Sequence, residues 1–238
     1  MVHDAITQAR SMGADAVEAG ISEDIGLSVT VRLGETETLE YNHDRGMGLT
    51  VYFDHCKGSA STADFSPGSI RDTVHAACDI ARYTSRDPCA GLADPERLAD
   101  VIPDLDLYHP WGLSAEQAIE TARDCEAAAR DVDERIVNSE GASVGSYAGL
   151  RVAGNSNGFM GWYRSTRHNI GCAVVGRQDE EMQRDYWSVS ARDSADLDDP
   201  AAVGRRAGER TVRRLGTQRL STRQVPVIFA AEVARGLF

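Results

Sequence analysis

The sequence lacks the features that mark membrane, secreted and nucleic-acid-binding proteins. No window approaches the ~18 uninterrupted apolar residues that a membrane-spanning helix needs, and Met1–Ile6 has no basic segment that leads into an apolar run. Lysine and arginine total 25 against 37 aspartates and glutamates, which gives a formal charge of -12. Because the phosphate backbone of nucleic acids favours clustered cations, this balance argues against a nucleic-acid partner. We therefore expect a cytoplasmic protein with no membrane association.

The sequence also lacks the usual patterns of disulfide and metal sites. Its five cysteines are scattered and contain no Cys-x-x-Cys pair, so neither a disulfide framework nor a thiolate zinc site is expected. Its six histidines never stand four residues apart, and no His-Glu-x-x-His is present. From the residues alone we assign no metal ligand and no catalytic residue in this chain.

One stretch, Gly141-Ala-Ser143-Val-Gly145, matches the nucleophile elbow of serine hydrolases by letter. An elbow requires a strand, a sharp turn and then a helix, whereas the residues that follow here indicate a strand or a loop. His168 is the only later histidine, and no acidic residue lies between Ser143 and Arg167. A turn of small residues is therefore favoured, and a hydrolase that uses Ser143 is the alternative.

Apolar spacing divides the chain into blocks of helix and blocks of strand. Period-two alternation predicts strands over residues 16–64 and again over residues 136–190, with turns at Leu33-Gly34-Glu35 and Asn42-His43-Asp44. Helical spacing and capping residues predict helices over His3–Met12, after Ser66-Pro67, after Ser114 and after Asp199-Pro200. Because the elements come in blocks, the predicted fold is α+β, with helices packed on an antiparallel sheet.

The last residues predict the start of another unit. Val225–Phe238 has the pattern of a strand that runs into the first turn of a helix, and it ends on apolar residues without a polar tail. We therefore expect residues 1–224 to form an N-terminal α+β domain and residues 225–238 to begin a truncated C-terminal domain.

Two polar-aromatic clusters supply candidate contact residues. Asn155-Ser-Asn-Gly-Phe159 suits a tight turn. In Gln183–Trp187, strand alternation places Arg184 and Tyr186 on one face and Trp187 on the other. A buried aromatic anchor and a peptide-contacting sheet face are equally favoured for this second cluster. The candidate substrate-binding or interface residues are Asn155, Asn157, Arg184, Tyr186 and Trp187.

Arginines crowd the last predicted helix, namely Arg205, Arg206, Arg210, Arg213 and Arg214. A solvated helix surface, with cations that favour the C-terminal end of the helix dipole, is the favoured interpretation. A patch for an acidic neighbour, such as a partner subunit, is the alternative.

Several of these segments, taken in order, resemble the TldD/PmbA family, and its PmbA (TldE) branch in particular. The matching strings are Gly58-Ser-Ala-Ser-Thr-x-Asp-x-Ser66, Asp87-Pro-x-x-Gly-Leu-x-Asp-Pro95, Leu105-Asp-Leu-Tyr-x-Pro110, Asn155-Ser-Asn-Gly-Phe-x-Gly-x-Tyr163, Met182-Gln-Arg-Asp-Tyr-Trp187 and Val203-Gly-Arg-Arg-Ala-x-Glu-Arg210. They span essentially the whole chain.

The resemblance implies a non-catalytic subunit of a heterodimeric metalloprotease that cleaves unfolded peptides. In the family these are microcin precursors, which are matured, and an antitoxin, which is degraded. The TldD-type partner carries a His-Glu-x-x-x-His metal motif, whereas the matching stretch here, Phe229–Phe238, has Glu232 but no histidine. The resemblance thus implies no cofactor in this chain and a metal ion, expected to be zinc, in the partner.

The family was first described as a modulator of DNA gyrase. A binding module that modulates gyrase without a proteolytic role is therefore the alternative function that the resemblance leaves open.

Overall fold

The computed structural model describes residues 1–237 and contains a six-stranded sheet with helices packed on it. The elements in chain order are α1 (Val2–Ser11), β1 (Ala16–Arg32), β2 (Glu35–Phe53), β3 (Cys56–Thr62), α2 (Pro67–Tyr83), α3 (Ala115–Arg130), β4 (Ile136–Asn155), β5 (Met160–Gln178), β6 (Glu181–Ala191), α4 (Pro200–Arg213) and α5 (Ala231–Ala234). Short 3-10 helices lie at Pro95–Arg97, Ser194–Asp196 and Arg235–Leu237.

The strands form one sheet in the order β3-β2-β1-β4-β5-β6, and every neighbouring pair is antiparallel. Strand β1 joins the two strand blocks of the sequence, since it pairs with β2 along its whole length and with β4 from Glu18 to Val31. The predicted α+β class with an antiparallel sheet is confirmed.

All four long helices pack on the same face of this sheet. Strand β1 contributes Val17 and Ala19 to a core that includes α1 and α2, and it contributes Leu27, Val29 and Val31 to a second core that includes α3 and α4. Because alternate residues of a strand share a face, these odd-numbered positions place both cores on one side. None of these four helices packs on the other side of the sheet, where Leu92, Ala93 and Leu98 of the connection between α2 and α3 lie beside Gly20 and Thr50.

The helix starts follow the capping residues found in the sequence. Ser66 accepts a hydrogen bond from the backbone of Ser69 at the start of α2, and Ser114 forms a reciprocal capping box with Gln117 at the start of α3. The inner face of α3 is fully buried, as its apolar spacing predicts, at Ala118, Ala122, Cys125 and Ala129.

The predicted turn at Asn42-His43-Asp44 is wrong, because these residues lie inside β2. His43 pairs with Ile25, and Asp44 pairs with Asp24, without a break in register. Strand β3 covers β2 only from Met47 to Phe53, so this earlier part of β2 is an exposed sheet edge. Polar turn formers are tolerated there because neither a third strand nor a helix buries them.

The strand predicted near Val225 is also wrong. No strand is present between residues 214 and 230, and helix α5 begins only at Ala231. Apolar side chains in this segment face solvent, with Ile228 96% exposed. A β-strand needs a neighbouring backbone to pair with, and none of the described residues supplies one, so apolar alternation alone does not form a strand here.

A segment of the connection between α2 and α3 crosses β5, and we call residues 105–111 the strap. Thr166 donates its backbone N–H to the Leu107 carbonyl at 2.9 Å, and its hydroxyl oxygen accepts from the His109 backbone at 2.9 Å. The ring of the buried His168 bonds the His109 carbonyl at 2.9 Å and packs edge-on against Trp111. The strap is thus fixed to the middle of β5.

Within residues 1–237, no helix combines the length and the apolar character that crossing a membrane requires.

Candidate functional site

The first candidate cluster forms the tight turn between β4 and β5. The side-chain oxygen of Asn155 accepts hydrogen bonds from the backbone of Asn157 at 3.0 Å and of Phe159 at 3.2 Å. Gly158 adopts a φ of 95°, which glycine tolerates best. The amide of Asn157 donates to the Ala93 carbonyl at 3.1 Å. The expected turn is confirmed, and both asparagines serve in holding it; a contact of either residue with a ligand stays a prediction.

The second cluster lies on β6 and alternates between faces as expected. Arg184 and Tyr186 point to the open face of the sheet, where Arg184 pairs with Glu140 and Tyr186 is 48% exposed. Trp187 points to the opposite side, against α4. Trp187 thus matches the interpretation as a buried aromatic anchor, and Arg184 and Tyr186 lie on an exposed face, as a peptide-contacting surface would require.

The Trp187 ring is held between arginines of α4. The guanidinium of Arg206 lies 3.8 Å from the ring centroid and that of Arg210 lies 5.2 Å from it. Both are within the distance at which a cation is attracted to an indole face. The neighbouring Asp185 is buried and lies within 3.7 Å of Arg210 and of Arg214. Arg206, Arg210 and Arg214 thus hold α4 against β6 at the edge of the sheet.

The two candidate clusters do not come together. The β6 cluster lies opposite residues 172–176 of β5, whereas the asparagine turn closes the far end of β4 and β5. At about 3.3 Å per residue, the stretch of β4 from Gly141 to Asn155 spans roughly 45 Å along the strand. A single small-molecule site cannot include both clusters.

Ser143 does not stand on an elbow or in a turn, so both interpretations of its motif are wrong. It lies inside β4, where it pairs with Thr30 of β1 and Gly171 of β5. Gly141 has a φ of 103° at a bulge, and a Cβ there would lie 2.8 Å from the Val31 carbonyl. The motif letters thus reflect strand geometry.

No catalytic base meets Ser143 either. The ring of His168 bonds the hydroxyl of Ser146 at 3.0 Å. Residues 143 and 146 have opposite parity along β4 and therefore face opposite sides of the sheet. The hydrolase alternative loses its geometric support.

The donor residues of the chain do not gather into a metal site. Among residues 1–237, no group of three or more His, Cys, Asp or Glu side chains is placed to hold an ion. The Glu232 side chain, in the stretch matched to the family's metal motif, accepts from Arg210 at 3.0 Å. The described residues therefore do not fit the metal that the family implies, and no reaction step is assigned to them.

A groove that the sequence did not indicate lies between the strap and β5. It has a volume of about 870 Å³, and its walls include Ile102, Leu105, Tyr108, Met160, Trp162 and Arg164. Trp162 is 62% exposed and Leu105 is 63% exposed. The period-two pattern places Trp162 on a strand, but it does not show that the Trp162 side chain is exposed. That exposure depends on where β6 stops pairing with β5 and on where the strap runs.

Comparison with known proteins decides the family. A family model described as "PmbA/TldA metallopeptidase domain 1" matches residues 17–81, and one described as "PmbA/TldA metallopeptidase central domain" matches residues 108–215. The Metalloprotease PmbA of Escherichia coli O157:H7 is 49% identical over 94% of this chain and 50% of its own length. The Metalloprotease PmbA homolog of Haemophilus influenzae is 42% identical over 98% of this chain and 51% of its own. The chain belongs to the PmbA/TldD metallopeptidase family.

Two solved structures have the same fold as this chain. A Bacteroides thetaiotaomicron protein described as a modulator of DNA gyrase superimposes with a TM-score of 0.85 at 28% identity, over 92% of this chain and 50% of its own. TldE from Thermococcus kodakarensis superimposes with a TM-score of 0.72 at 18% identity, over 88% of this chain and 47% of its own. At that identity the second likeness shows the fold alone.

The chain spans about half the length of the curated PmbA relatives that it matches. Its two family models meet within one continuous sheet, since β1 lies in the first match and β4 lies in the second. The predicted division at residue 224 stays a prediction.

Proposed function

We propose that this chain is a non-catalytic part of a heterodimeric PmbA/TldD-type metalloprotease, and that a TldD-type subunit supplies the catalytic metal, expected to be zinc. The observation that carries the proposal is the 49% identity to a PmbA metalloprotease in a chain whose residues 229–238 contain no histidine. A catalytic zinc site needs about three protein ligands and an open position for water.

The surroundings of Glu232 support this assignment. Its own backbone N–H and the guanidinium of Arg210 lower the pKa of the Glu232 carboxyl below its usual value. The Glu232 carboxylate thus has an ion-pair partner on α4 in the described structure.

The proposed substrates are unfolded peptides in the cytoplasm, of the microcin-precursor and antitoxin kind. Binding such a chain requires an extended surface rather than a deep pocket. A sheet with one helix-free face, together with a groove beside one of its strands, offers that kind of surface. The contribution of this chain is to bind and align the peptide, and the partner cleaves it.

Sedimentation velocity tests the association directly. The chain, a TldD-type subunit and their mixture are run at the same total concentration. We expect the mixture to contain a species that sediments faster than either component. Two components that sediment independently at micromolar concentration would refute the heterodimer.

A second candidate function is direct modulation of DNA gyrase, which is favoured by the description of the Bacteroides relative. It predicts that the chain alters gyrase supercoiling in the absence of any TldD-type subunit. The heterodimer proposal predicts an unchanged supercoiling rate, so a gel assay of plasmid topoisomers separates the two candidates.

A further inference from the structure

The first half of β5 is an open sheet edge. Strand β6 pairs with β5 only from His168 to Gln178, so residues 160–167 of β5 have β4 on one side and no strand on the other. Thr166 shows which backbone groups face outward. Its N–H bonds the strap, and its carbonyl accepts from the side chain of Arg192 at 2.8 Å, so both groups point away from β4.

The same direction holds for two further residues. Because alternate residues of a strand direct their N–H and C=O groups to the same side, Trp162 and Arg164 also point theirs away from β4. Within the described part of the chain, none of these outward groups has a hydrogen-bond partner. A row of unpaired donors and acceptors at a sheet edge is a template for another strand.

The groove along this edge is apolar on its walls. Apolar side chains of the connection between α2 and α3 and of β5 line its 870 Å³. Leu105 and Trp162 are each more than 60% exposed, which is unusual for clustered large apolar side chains. The edge of β5 can pair with the backbone of a peptide, and the groove beside it has apolar walls. This combination suits an extended peptide with one apolar side chain directed into the groove.

Two arginines determine the charge of the occupant. Arg164 stacks on Tyr108 at 4.2 Å, and neither Arg164 nor Arg192 lies within 4 Å of a carboxylate of the described residues. The two aspartates of the groove are engaged in the strap. Asp106 lies 3.4 Å from His109, and Asp104 accepts from the Asp106 backbone at 3.0 Å. The two arginines and two aspartates leave the groove without a net formal charge, but no carboxylate of the described residues pairs with Arg164, and guanidinium groups bind carboxylates strongly.

We propose that this groove binds an extended peptide segment that adds as a strand to the edge of β5 at Trp162 and Arg164, with an apolar side chain between the strap and Trp162 and a carboxylate beside Arg164. The proposal names the acidic-apolar class of peptide for the substrate-aligning role above and rests on that role. Its test measures binding to this chain alone, so the result is independent of whether a heterodimer cleaves anything.

The experiment is fluorescence anisotropy with two labelled peptides of about eight residues. One alternates valine and glutamate, and the other alternates valine and lysine. We expect the glutamate peptide to bind the wild-type chain at least about tenfold more tightly than the lysine peptide, the usual scale of a charge-assisted hydrogen bond. Equal binding of both peptides, or binding of neither, would overturn the proposal.

Substitutions of Arg164 separate the contribution of its backbone N–H to peptide binding from the contribution of its side chain. Arg164→Ala keeps the outward N–H and is expected to abolish the preference for glutamate. Arg164→Pro also removes that N–H and is expected to weaken both peptides by about a further tenfold. Proline is tolerated here because this N–H bonds no neighbouring strand. If Arg164→Pro binds as tightly as Arg164→Ala, strand addition is wrong.

Two further variants distinguish a specific loss of peptide binding from a loss caused by misfolding or by binding at another surface. Trp162→Ser is expected to weaken both peptides without disturbing the fold, which thermal unfolding checks for every variant, and it tests the site should the proline variant fail to fold. Tyr83→Ser removes an exposed aromatic at the end of α2, outside the groove, and is expected to bind like the wild type. An equal loss in Tyr83→Ser would place the binding elsewhere and overturn the proposal.

Discussion

A single buried carboxylate ties the first hairpin to the helical layer. Glu126 of α3 is 1% exposed, and its two oxygens accept from the backbone N–H groups of Leu33 and Gly34, each at 2.8 Å. Those residues form the turn between β1 and β2, and Leu33 has a φ of 53°. The acceptor thus compensates for an unfavourable turn conformation.

We expect Glu126→Ala to lower the free energy of unfolding by about 1.5–3 kcal/mol, the range for hydrogen bonds to a charged group. Urea denaturation followed by circular dichroism measures it. Glu120→Ala, on the exposed side of the same helix, is the matched control and should change stability by less than about 0.5 kcal/mol. Equal effects of the two substitutions would show that the turn does not depend on Glu126.

His109 gives the strap a dependence on pH. A hydrogen bond from its ring to the Asp106 carbonyl raises the pKa of His109 above its usual value, and the carboxylates of Asp106 and Asp193 add to this. A raised histidine pKa stabilises the folded state below the unfolded pKa of about 6.5. This contribution is lost as the pH rises through the folded-state value.

We therefore expect His109→Gln to lower the melting temperature more at about pH 6 than at about pH 8. His75→Gln, an exposed histidine of α2, should show no such difference. In parallel, an NMR titration should place the His109 pKa above 6.5, and Asp193→Asn should lower it. A His109 pKa that is unchanged by Asp193→Asn would contradict the contribution assigned to the Asp193 carboxylate.

At the scale of elements, glycine sets how closely α4 approaches α3. A Cβ on Gly204 would lie 1.9 Å from the Cys125 carbonyl oxygen, and one on Gly208 would lie 2.5 Å from that of Ala129. Both obstacles are backbone atoms, which cannot move aside without shifting a helix. The close contact seats α4 between α3 and β6, where its arginines reach Trp187.

Gly204→Ala should therefore lower the free energy of unfolding by about 1–3 kcal/mol through overpacking, although alanine favours helix formation. Gly68→Ala in α2, where a new Cβ meets nothing within 4 Å, is the control and should leave stability unchanged or slightly raised. Thermal unfolding of both variants makes the comparison. A stabilised Gly204→Ala variant would mean that the helices are not in contact through this glycine.

Helix starts and buried helix faces were predictable because capping and spacing are local. Ser66, Ser114 and Asp199 each cap the helix that the sequence assigned to them. The error at Asn42-His43-Asp44 has the opposite origin. Whether turn formers make a turn depends on the 17-residue pairing of β1 with β2, and pairing partners are not visible along one strand.

At the scale of the whole molecule, resemblance identified the family, and the fold class followed from the block pattern of elements. The residues proposed as contacts were only partly informative. Asn155 and Asn157 prove to hold a turn, whereas Arg184 and Tyr186 are exposed on the open face. The groove beside Trp162 was missed because it depends on where β6 stops pairing with β5 and on where the strap runs, and no local pattern encodes either feature.

The central claim is that this chain supports catalysis without performing it. The most direct test compares cleavage of an unstructured peptide by this chain, by a TldD-type subunit and by their mixture, each with and without a metal chelator. The account predicts cleavage in the mixture only, abolished by the chelator. Cleavage by this chain alone, or a mixture no more active than its TldD-type component, would contradict it.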